Sequence, residues 1–281
     1  MSAGDGGVFY KMCGSGNDFV FLDGRRSIPA ELRTPAAIRA LCERRTGVGA
    51  DGVVYLDPPA AGSTDAFRMR YHNSDGSLAS FCGNATLCAT RLGVELGIAP
   101  VADDFSFGSD AGTIVARLRS DLPEVELAPV QGLVEDAIHL EREAGEHQIG
   151  FAVAGVPHVV VRVDDVERVE LEVRGRALRH ASALGREGAN VNFVAPAGDG
   201  AWLMRTYERG VEGETLACGS GAVSCASVLR SWGLAGDEAT IVTRSGRPLI
   251  VRQPPQPDRG PTLRGEGRIV FVGRLRDLGI G

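Results

Sequence analysis

Short apolar runs alternate with polar, glycine-containing stretches along the whole chain, a pattern typical of β-strands joined by turns. Only a few stretches show the spacing of a helix, so we predict an α+β protein. The runs that predict strands are Phe19–Asp23, Val53–Leu56, Phe67–His72, Thr113–Arg119, His158–Val163, Val191–Val194, Leu203–Tyr207 and Ile269–Val272.

One helix is marked at both ends. Thr34 is a good N-cap, Pro35 suits the first helical position, Ile38 and Leu41 lie on one helical face, and Gly47 follows as an end signal. Three further helices are predicted, beginning after Cys82, near Asp165 and after Cys218.

Short motifs recur along the chain at a nearly constant offset. The three matched pairs lie 135, 136 and 137 residues apart: Met69-Arg70 with Met204-Arg205, Cys82-Gly83-Asn84 with Cys218-Gly219-Ser220, and Cys88-Ala89-Thr90 with Cys225-Ala226-Ser227. Such self-similarity predicts a duplicated unit of strand, glycine-containing loop and helix. The halves are residues 1–128 and 129–267, joined in the stretch around Ala128–Leu133.

Composition excludes several protein classes. The chain has 281 residues, 43% hydrophobic and 23% charged, which is enough apolar material for a core, and no apolar run approaches membrane-spanning length. The net charge of -6 and the lack of a long basic run argue against nucleic acid as a partner. The first residues carry no export signal, so we expect a cytoplasmic protein without a membrane partner.

Six cysteines are the main candidates for chemistry. A chain of this length in a reducing cytoplasm has no need of disulfides. Cys82 and Cys218 each precede a predicted helix, where unpaired backbone N–H groups and the helix dipole favour a thiolate. Cys42, Cys88 and Cys225 lie inside helical patterns and are interpreted as small buried hydrophobes.

Three other motif hypotheses fit poorly. The run Gly47–Gly52 matches G-x-G-x-x-G, but it follows a helix and precedes a strand, the reverse of a dinucleotide site. The paired cysteines have C-x5-C and C-x6-C spacings rather than those of a zinc site, and C-x-x-C is absent. We therefore predict neither a metal nor a cofactor.

Two thiols in duplicated halves suggest a particular reaction. If the two helix N-termini face one bound molecule, one cysteine can remove a proton from a carbon acid and the other can return a proton to the opposite face. The helix ends would stabilise a substrate carboxylate and the negative charge of the transition state.

Four longer segments carry a resemblance to a known family. They are KMCGSGNDFVFLD from Lys11, RRTGVGADGVV from Arg44, NSDGSLASFCGN from Asn73 and YERGVEGETLACGSG from Tyr207. In these segments, which run in order through nearly the whole chain, the sequence resembles the diaminopimelate epimerase family.

The resemblance implies both fold and activity. The expected fold has two pseudosymmetric domains, each a curled mixed β-sheet around a central helix, with the active site between them and residues 268–281 returning to the first domain. The implied activity is a cofactor-independent, two-cysteine interconversion of LL- and meso-diaminopimelate, which serves lysine and peptidoglycan precursor synthesis in bacteria. The partner is then the small-molecule substrate, and a homodimer is left open.

The resemblance also assigns roles to individual residues. The catalytic pair is Cys82 and Cys218, and the residues that adjust their pKa values are His158 and Glu208. Backbone donors for the α-carboxylate come from Gly83, Asn84, Gly219 and Ser220. The remaining substrate-binding residues are Asn17, Asn73, Asn190 and Arg209, with Glu208 also in contact.

Several positions depart from the family pattern. Val156 replaces an asparagine that contacts substrate, Gly52 replaces a glutamine found in some members, and Cys13 replaces a histidine. Ala85 and Leu87 replace a common glycine and arginine. These changes leave two alternatives open: a racemase of another amino acid with the same mechanism, and a non-catalytic thiol protein that senses redox state or binds a ligand.

Overall fold

The polypeptide folds as two units, each a strand-rich sheet with two α-helices. The computed structural model describes residues 7–26, 28–79, 81–137, 139–256 and 259–276. The first unit comprises Met1–Val125 and Gly265–Gly281, and the second comprises Glu126–Arg264. The chain therefore starts in the first unit, builds the second, and ends in the first.

The strands and helices are numbered in chain order. The strands are β1 (Val8–Gly14), β2 (Asn17–Asp23), β3 (Gly52–Asp57), β4 (Arg68–Asn73), β5 (Leu78–Ala79), β6 (Phe105–Ser109), β7 (Gly112–Arg119), β8 (Leu122–Glu126), β9 (Gln131–Val134), β10 (Glu146–Ala154), β11 (Val156–Val163), β12 (Asn190–Pro196), β13 (Trp202–Glu208), β14 (Gly213–Thr215), β15 (Glu238–Val242), β16 (Pro248–Arg252), β17 (Thr262–Arg264) and β18 (Arg268–Arg274). The α-helices are α1 (Pro35–Cys42), α2 (Gly83–Glu95), α3 (Leu171–Arg179) and α4 (Gly219–Ser231). Short 3-10 helices cover Ala30–Arg33, Val166–Arg168 and Ser182–Leu184.

The sheet of the first unit mixes parallel and antiparallel pairs. Its strands run β18-β1-β2-β3-β4-β6-β7-β8, with β5 added beside β4, and the parallel pairs are β2–β3 and β4–β6. Helix α1 forms the crossover between parallel strands β2 and β3. It buries Ile38 and Leu41 against Val20, Leu22 and Val53.

Helix α2 lies on the other side of this sheet and is surrounded by it. Ten of its 13 residues are buried, and it packs against β1, β3, β7 and β18. A helix enclosed on all sides cannot be strongly amphipathic. Its sequence is accordingly rich in small residues, and Gly93 lies so close to Phe67 that an added Cβ would come within 2.6 Å of the ring.

The second unit repeats this arrangement element by element. Its strands run β9-β10-β11-β12-β13-β15-β16-β17, with β14 beside β13, and the parallel pairs are β11–β12 and β13–β15. Helix α3 joins β11 to β12 as α1 joins β2 to β3, and the central helix α4 buries ten of its 13 residues. The predicted α+β class with two similar halves, each a mixed sheet around a central helix, is confirmed.

Two helix predictions are wrong in detail. Helix α1 begins at Pro35 as expected but ends at Cys42, because Glu43 is extended and Val48 and Gly49 donate hydrogen bonds back to the Leu41 carbonyl. Gly47 lies in the connecting loop instead. Asp165 caps only the 3-10 turn Val166–Arg168, and α3 begins at Leu171.

The predicted strands all overlap observed ones, whereas the short, exposed β9 and the nine-residue β10 are among the strands that were not predicted. None of the helices within the described ranges is both long enough and apolar enough to cross a bilayer.

The cap of α1 provides a test of the fold. Thr34 Oγ1 accepts a hydrogen bond from the Ala37 N–H at 3.2 Å. Thr34→Ala leaves that donor without its partner, so we expect the free energy of unfolding to fall by ~1 kcal/mol in urea titrations. Thr34→Ser keeps the acceptor and should stay close to wild type; an equal loss in both variants would argue against a capping role.

Candidate active site

Cys82 is the residue that caps helix α2. Its backbone is extended, with φ -149° and ψ 113°, and its carbonyl accepts the first helical hydrogen bond, from the Thr86 N–H at 2.9 Å. The amide groups of the first turn have no acceptor within the helix and give its N-terminus a partial positive charge. The half-buried Cys82 thiol therefore lies at the positive end of a buried helix dipole.

A chain of side-chain amides supports this helix start. Asn84 Nδ2 donates to Asn17 Oδ1 at 2.5 Å, and Asn17 Nδ2 donates to Asp51 Oδ2 at 3.0 Å. The carboxylate of Asp51 can only accept, so the amide of Asn17 must present its nitrogen to Asp51 and its oxygen to Asn84. Asn84 Oδ1 is buried and has no hydrogen-bond partner among the described residues, so it can accept a further hydrogen bond.

Charged side chains hold Asp51 in place. Arg44 bridges Asp51 and Asp18, with both contacts at 2.7 Å, and Lys11 contacts Asp18 at 2.5 Å. Burial raises the pKa of Asp18, but the hydrogen bonds from Arg44 and Lys11 outweigh it and hold that pKa below its ordinary value. Asp51 Oδ1 accepts from Arg44 and Asp51 Oδ2 accepts from the Asp18 N–H at 3.1 Å, which keeps the direction of the amide chain fixed.

Asn73 is held differently from the other predicted residues of this unit. It ends β4, where its N–H donates to the Ser77 carbonyl at 2.9 Å and its Nδ2 donates to Ser77 Oγ at 3.0 Å. In the sheet it is paired with Gly52, which is in turn paired with Phe19 on β2. Asn73 is therefore a turn residue two strands away from β2, which carries Asn17.

Cys218 is the corresponding cap of helix α4 in the second unit. Its Sγ atom accepts from the Gly221 N–H at 3.4 Å and lies 3.5 Å from Ser220 Oγ. Gly219 is buried, and the cap residue is extended, with φ -131° and ψ 110°. Donors directed at the sulfur favour its thiolate form.

His158 contacts this helix start from the sheet. Its Nε2 lies 3.0 Å from Ser220 Oγ, and its Nδ1 lies 3.1 Å from Asn192 Nδ2. Burial, together with the charge of Arg209, lowers the pKa of His158 to about 3. The imidazole is therefore neutral at physiological pH and does not act as a permanent cation beside Cys218.

Asn190 and Arg209 are the other predicted site residues of the second unit. Asn190 Oδ1 accepts from the Arg209 N–H at 2.8 Å, which joins the start of β12 to the residue after β13. The Arg209 guanidinium is about one-quarter exposed and contacts the exposed Glu187 at 4.0 Å, so it can take an anionic ligand. Glu208 precedes it as the last residue of β13.

The other thiols differ from the two caps. Burial raises the pKa of Cys42 to about 11 and raises the pKa values of Cys88 and Cys225 well above their ordinary value. These three side chains are protonated at neutral pH, as expected for small buried hydrophobes. No disulfide joins any of the six cysteines, all of which lie in described parts of the chain.

The positions that depart from the family pattern have structural explanations in part. A Cβ on Gly52 would lie 2.5 Å from Tyr71 Cε2 and 2.4 Å from the His72 carbonyl, so no larger side chain fits unless both move. Ala85 and Leu87 are fully buried in α2. Val156 begins β11 opposite Ala154, and Cys13 Sγ lies 3.9 Å from Glu266 Oε2.

Comparison with known proteins identifies the family. A family model described as diaminopimelate epimerase matches residues 9–131 and 151–258. A curated diaminopimelate epimerase from Gemmatimonas aurantiaca is 48% identical over 96% of this chain and 99% of its own length. The chain belongs to the diaminopimelate epimerase family. A second member, from Aquifex aeolicus, is 39% identical over 96% of this chain and 98% of its own length.

Solved structures support the fold assignment of this family member. A phenazine biosynthesis protein of the PhzF family from Bacillus anthracis superposes with a TM-score of 0.71, covering 96% of this chain and 99% of that chain at 12% identity. Identity this low supports a shared fold only. The resemblance to diaminopimelate epimerases predicted from the sequence is confirmed.

Sequence reasoning missed two residues that hold the predicted site residues in place. Asn192 contacts His158, and Asp51 contacts Asn17. Asn192 follows Asn190 by two positions on one strand, so side-chain alternation places both on the same face and could have indicated it. Asp51 lies in both the rejected glycine motif and the family segment that begins at Arg44, but nothing local indicated its contact with β2.

His158 provides a test by acid unfolding. Its folded pKa of about 3 lies below the ordinary 6.5, so the unfolded chain binds a proton first as the pH falls. The stability that this neutral histidine contributes is complete above pH ~6.5 and is lost progressively toward pH ~3, by about 2 to 3 kcal/mol at pH 4.5. Urea unfolding at pH 7 and 4.5 should show a smaller pH-dependent loss in His158→Gln than in wild type. Equal losses in the two proteins would mean that His158 is not buried as a neutral group.

Proposed function

We propose that the chain interconverts LL- and meso-diaminopimelate by inverting one α-carbon without a cofactor, in lysine and cell-wall precursor synthesis. The observation that carries this proposal is the duplicated cysteine cap: Cys82 and Cys218 occupy the same place before α2 and α4. The matched relatives named diaminopimelate epimerase support the substrate. They favour it over a racemase of another amino acid and over a non-catalytic thiol protein.

The reaction needs one base and one acid. The thiolate of one cysteine takes the α-proton, the electron pair remains on the α-carbon and its carboxylate, and the thiol of the other cysteine gives its proton to the opposite face. The first sulfur ends as a thiol and the second as a thiolate, so the roles exchange in the reverse direction. Each predicted half, 1–128 with 268–281 and 129–267, contributes one thiol.

Backbone amides at the two helix starts stabilise the developing charge. Gly83, Asn84, Gly219 and Ser220 supply N–H groups at the positive helix ends, where a carboxylate and its enolate-like transition state are favoured. Because these donors are fixed by the helices, they need little reorganisation during the reaction. The buried Asn84 Oδ1, which has no partner among the described residues, is available to accept from the substrate ammonium.

Polar side chains recognise the remainder of the substrate. Arg209 can hold a carboxylate through two parallel hydrogen bonds, and Asn190 fixes the backbone of Arg209 at 2.8 Å. Asn17 and Asn73 provide amides in the first unit. His158 and Glu208 act on the thiol pKa values, His158 through Ser220.

The two-thiol mechanism is tested by removing each sulfur. We expect Cys82→Ala and Cys218→Ala each to lower kcat by at least ~10²-fold, the low end of what a positioned proton donor or acceptor contributes. Turnover and exchange of the α-hydrogen with deuterium oxide should both be followed by NMR.

The control for this test is Cys225→Ala, which removes a buried thiol from α4, the helix that Cys218 caps. It should keep its activity per folded molecule. Near-normal turnover in either cap variant would rule out the two-thiol mechanism.

Substrate recognition is tested at Arg209. Arg209→Lys loses the planar two-pronged contact, so kcat/KM for diaminopimelate should fall at least ~10-fold while both thiols stay open to alkylation. The exposed Arg186→Lys should match wild type. Analogues that lack the distal amino and carboxyl groups should be rejected by ~10⁴-fold because polar groups would be left unpaired. Equal turnover of a simple amino acid would contradict the assignment.

We further propose that the enzyme works as a homodimer through β18. Val270, Phe271 and Val272 are 45%, 47% and 56% exposed in succession, an unusual run of apolar side chains for a surface strand. Light scattering after size exclusion should give twice the chain mass, and Val272→Glu should give a monomer. A monomeric wild type would exclude the dimer.

Because both thiols must stay reduced, the cytoplasm is the proposed compartment.

A further inference from the structure

We propose that Asn192 is a positioning residue: it fixes which ring nitrogen of His158 carries the proton and thereby directs the Ser220 hydroxyl to the Cys218 sulfur. The inference rests on the proposed function only in taking Cys218 as a catalytic thiol. The argument starts from the amide of Asn192, which is fully buried in β12.

The orientation of this amide is determined by the Val159 carbonyl and agrees with the contact to Thr206. Asn192 Oδ1 accepts from Thr206 Oγ1 at 2.9 Å. Asn192 Nδ2 lies 3.1 Å from the Val159 carbonyl, which can only accept a hydrogen bond. The atom facing Val159 must therefore be the amide nitrogen, and this nitrogen also faces His158.

The amide orientation determines the histidine tautomer. Asn192 Nδ2 has a second N–H, which donates to His158 Nδ1 at 3.1 Å. Nδ1 must then be the unprotonated nitrogen, and in a neutral imidazole the proton lies on Nε2. The Nε2–H group donates to Ser220 Oγ at 3.0 Å.

Asn190 does not compete for Nε2. Its Nδ2 lies 3.5 Å from Nε2 and 3.4 Å from the Pro157 carbonyl, while its Oδ1 is held by the Arg209 N–H. Two donors do not form a hydrogen bond with each other, so the Asn190 amide donates to the carbonyl and leaves Nε2–H for Ser220.

The hydroxyl of Ser220 can then point its own proton at the Cys218 sulfur. Since Ser220 Oγ accepts from His158, its hydrogen is free to donate to Cys218 Sγ at 3.5 Å. The sulfur also receives the Gly221 N–H at 3.4 Å. Two donors at one sulfur stabilise the thiolate, the form that removes the α-proton.

Packing keeps Asn192 from relaxing. A Cβ on Gly221 would come within 2.6 Å of Asn192 Oδ1, so the first turn of α4 lies directly on the amide. Glycine at this position allows helix and amide to approach this closely. The start of α4 and the amide of β12 are therefore positioned together.

The test is to replace the hydrogen-bond donor that residue 192 presents to His158 with an acceptor. Asn192→Asp has nearly the same shape but presents an acceptor to His158 Nδ1, which should move the proton to Nδ1. The Ser220 hydroxyl would then donate to Nε2 and no longer to Cys218. Nitrogen-15 NMR of labelled protein distinguishes the two tautomers, and a His158→Gln spectrum assigns the signal.

We expect wild type to show the Nε2–H form and Asn192→Asp the Nδ1–H form. Loss of one hydrogen bond to a thiolate should also lower kcat by ~10-fold or more, with a smaller change in KM. Gln253→Glu is the matched control, because Gln253 is a buried amide that donates to Ser227 on the same helix at 2.8 Å. Its His158 signal and kcat should match wild type.

The wild-type spectrum keeps the proposal falsifiable if Asn192→Asp does not fold. An Nδ1–H signal for wild-type His158 would overturn the proposal, and so would an unchanged tautomer in folded Asn192→Asp. Because the spectrum is recorded without substrate, a protein that shows the expected tautomer but does not turn over diaminopimelate would refute the proposed function alone.

Discussion

The structure depends on enclosing one α-helix in each unit within its own sheet. Helices α2 and α4 bury ten of 13 residues each, so their sides are covered by strands and their N-terminal amides keep the four donors that a helix cannot use internally. Both helices are rich in small residues, which allow the strands to pack closely, and a cysteine caps each of them. Each buried helix thus places the partial positive charge of its N-terminus beside one thiol.

Each helix start is held by a hydrogen-bond chain that ends on a group able only to accept. In the first unit that group is the Asp51 carboxylate, and in the second it is the Val159 carbonyl. An acceptor of this kind must face the nitrogen of a side-chain amide, which fixes the orientation of that amide. The oriented amide then determines whether its next partner donates or accepts. Side chains that could bond in either direction, such as Asn17 and Asn192, therefore have one orientation, because the fold supplies the fixed end of the chain.

Sequence reasoning predicted what is encoded locally. Cys82 and Cys218 stand directly before helical patterns, and the Thr34 cap is adjacent to its helix, so these features were found. The end of α1 was misjudged, because the chain turns back onto Leu41 before Gly47 is reached. The neutrality of His158 depends on burial and on Arg209, 51 residues later in the sequence. No local pattern encodes that proximity.

Duplication explains the shared fold but not the chemistry of each half. His158 pairs with Asn190 across a parallel pair of strands, and the corresponding pair in the first unit is Phe19 with Gly52. A buried aromatic ring therefore stands where the second unit has its imidazole, and the first unit depends instead on the ion-paired side chains around Asp51. A reaction that exchanges acid and base between two thiols does not require identical surroundings. It requires that each sulfur can hold and release a proton. The ion-paired side chains around Asp51 in the first unit and the neutral His158 with Ser220 in the second can support this by different means.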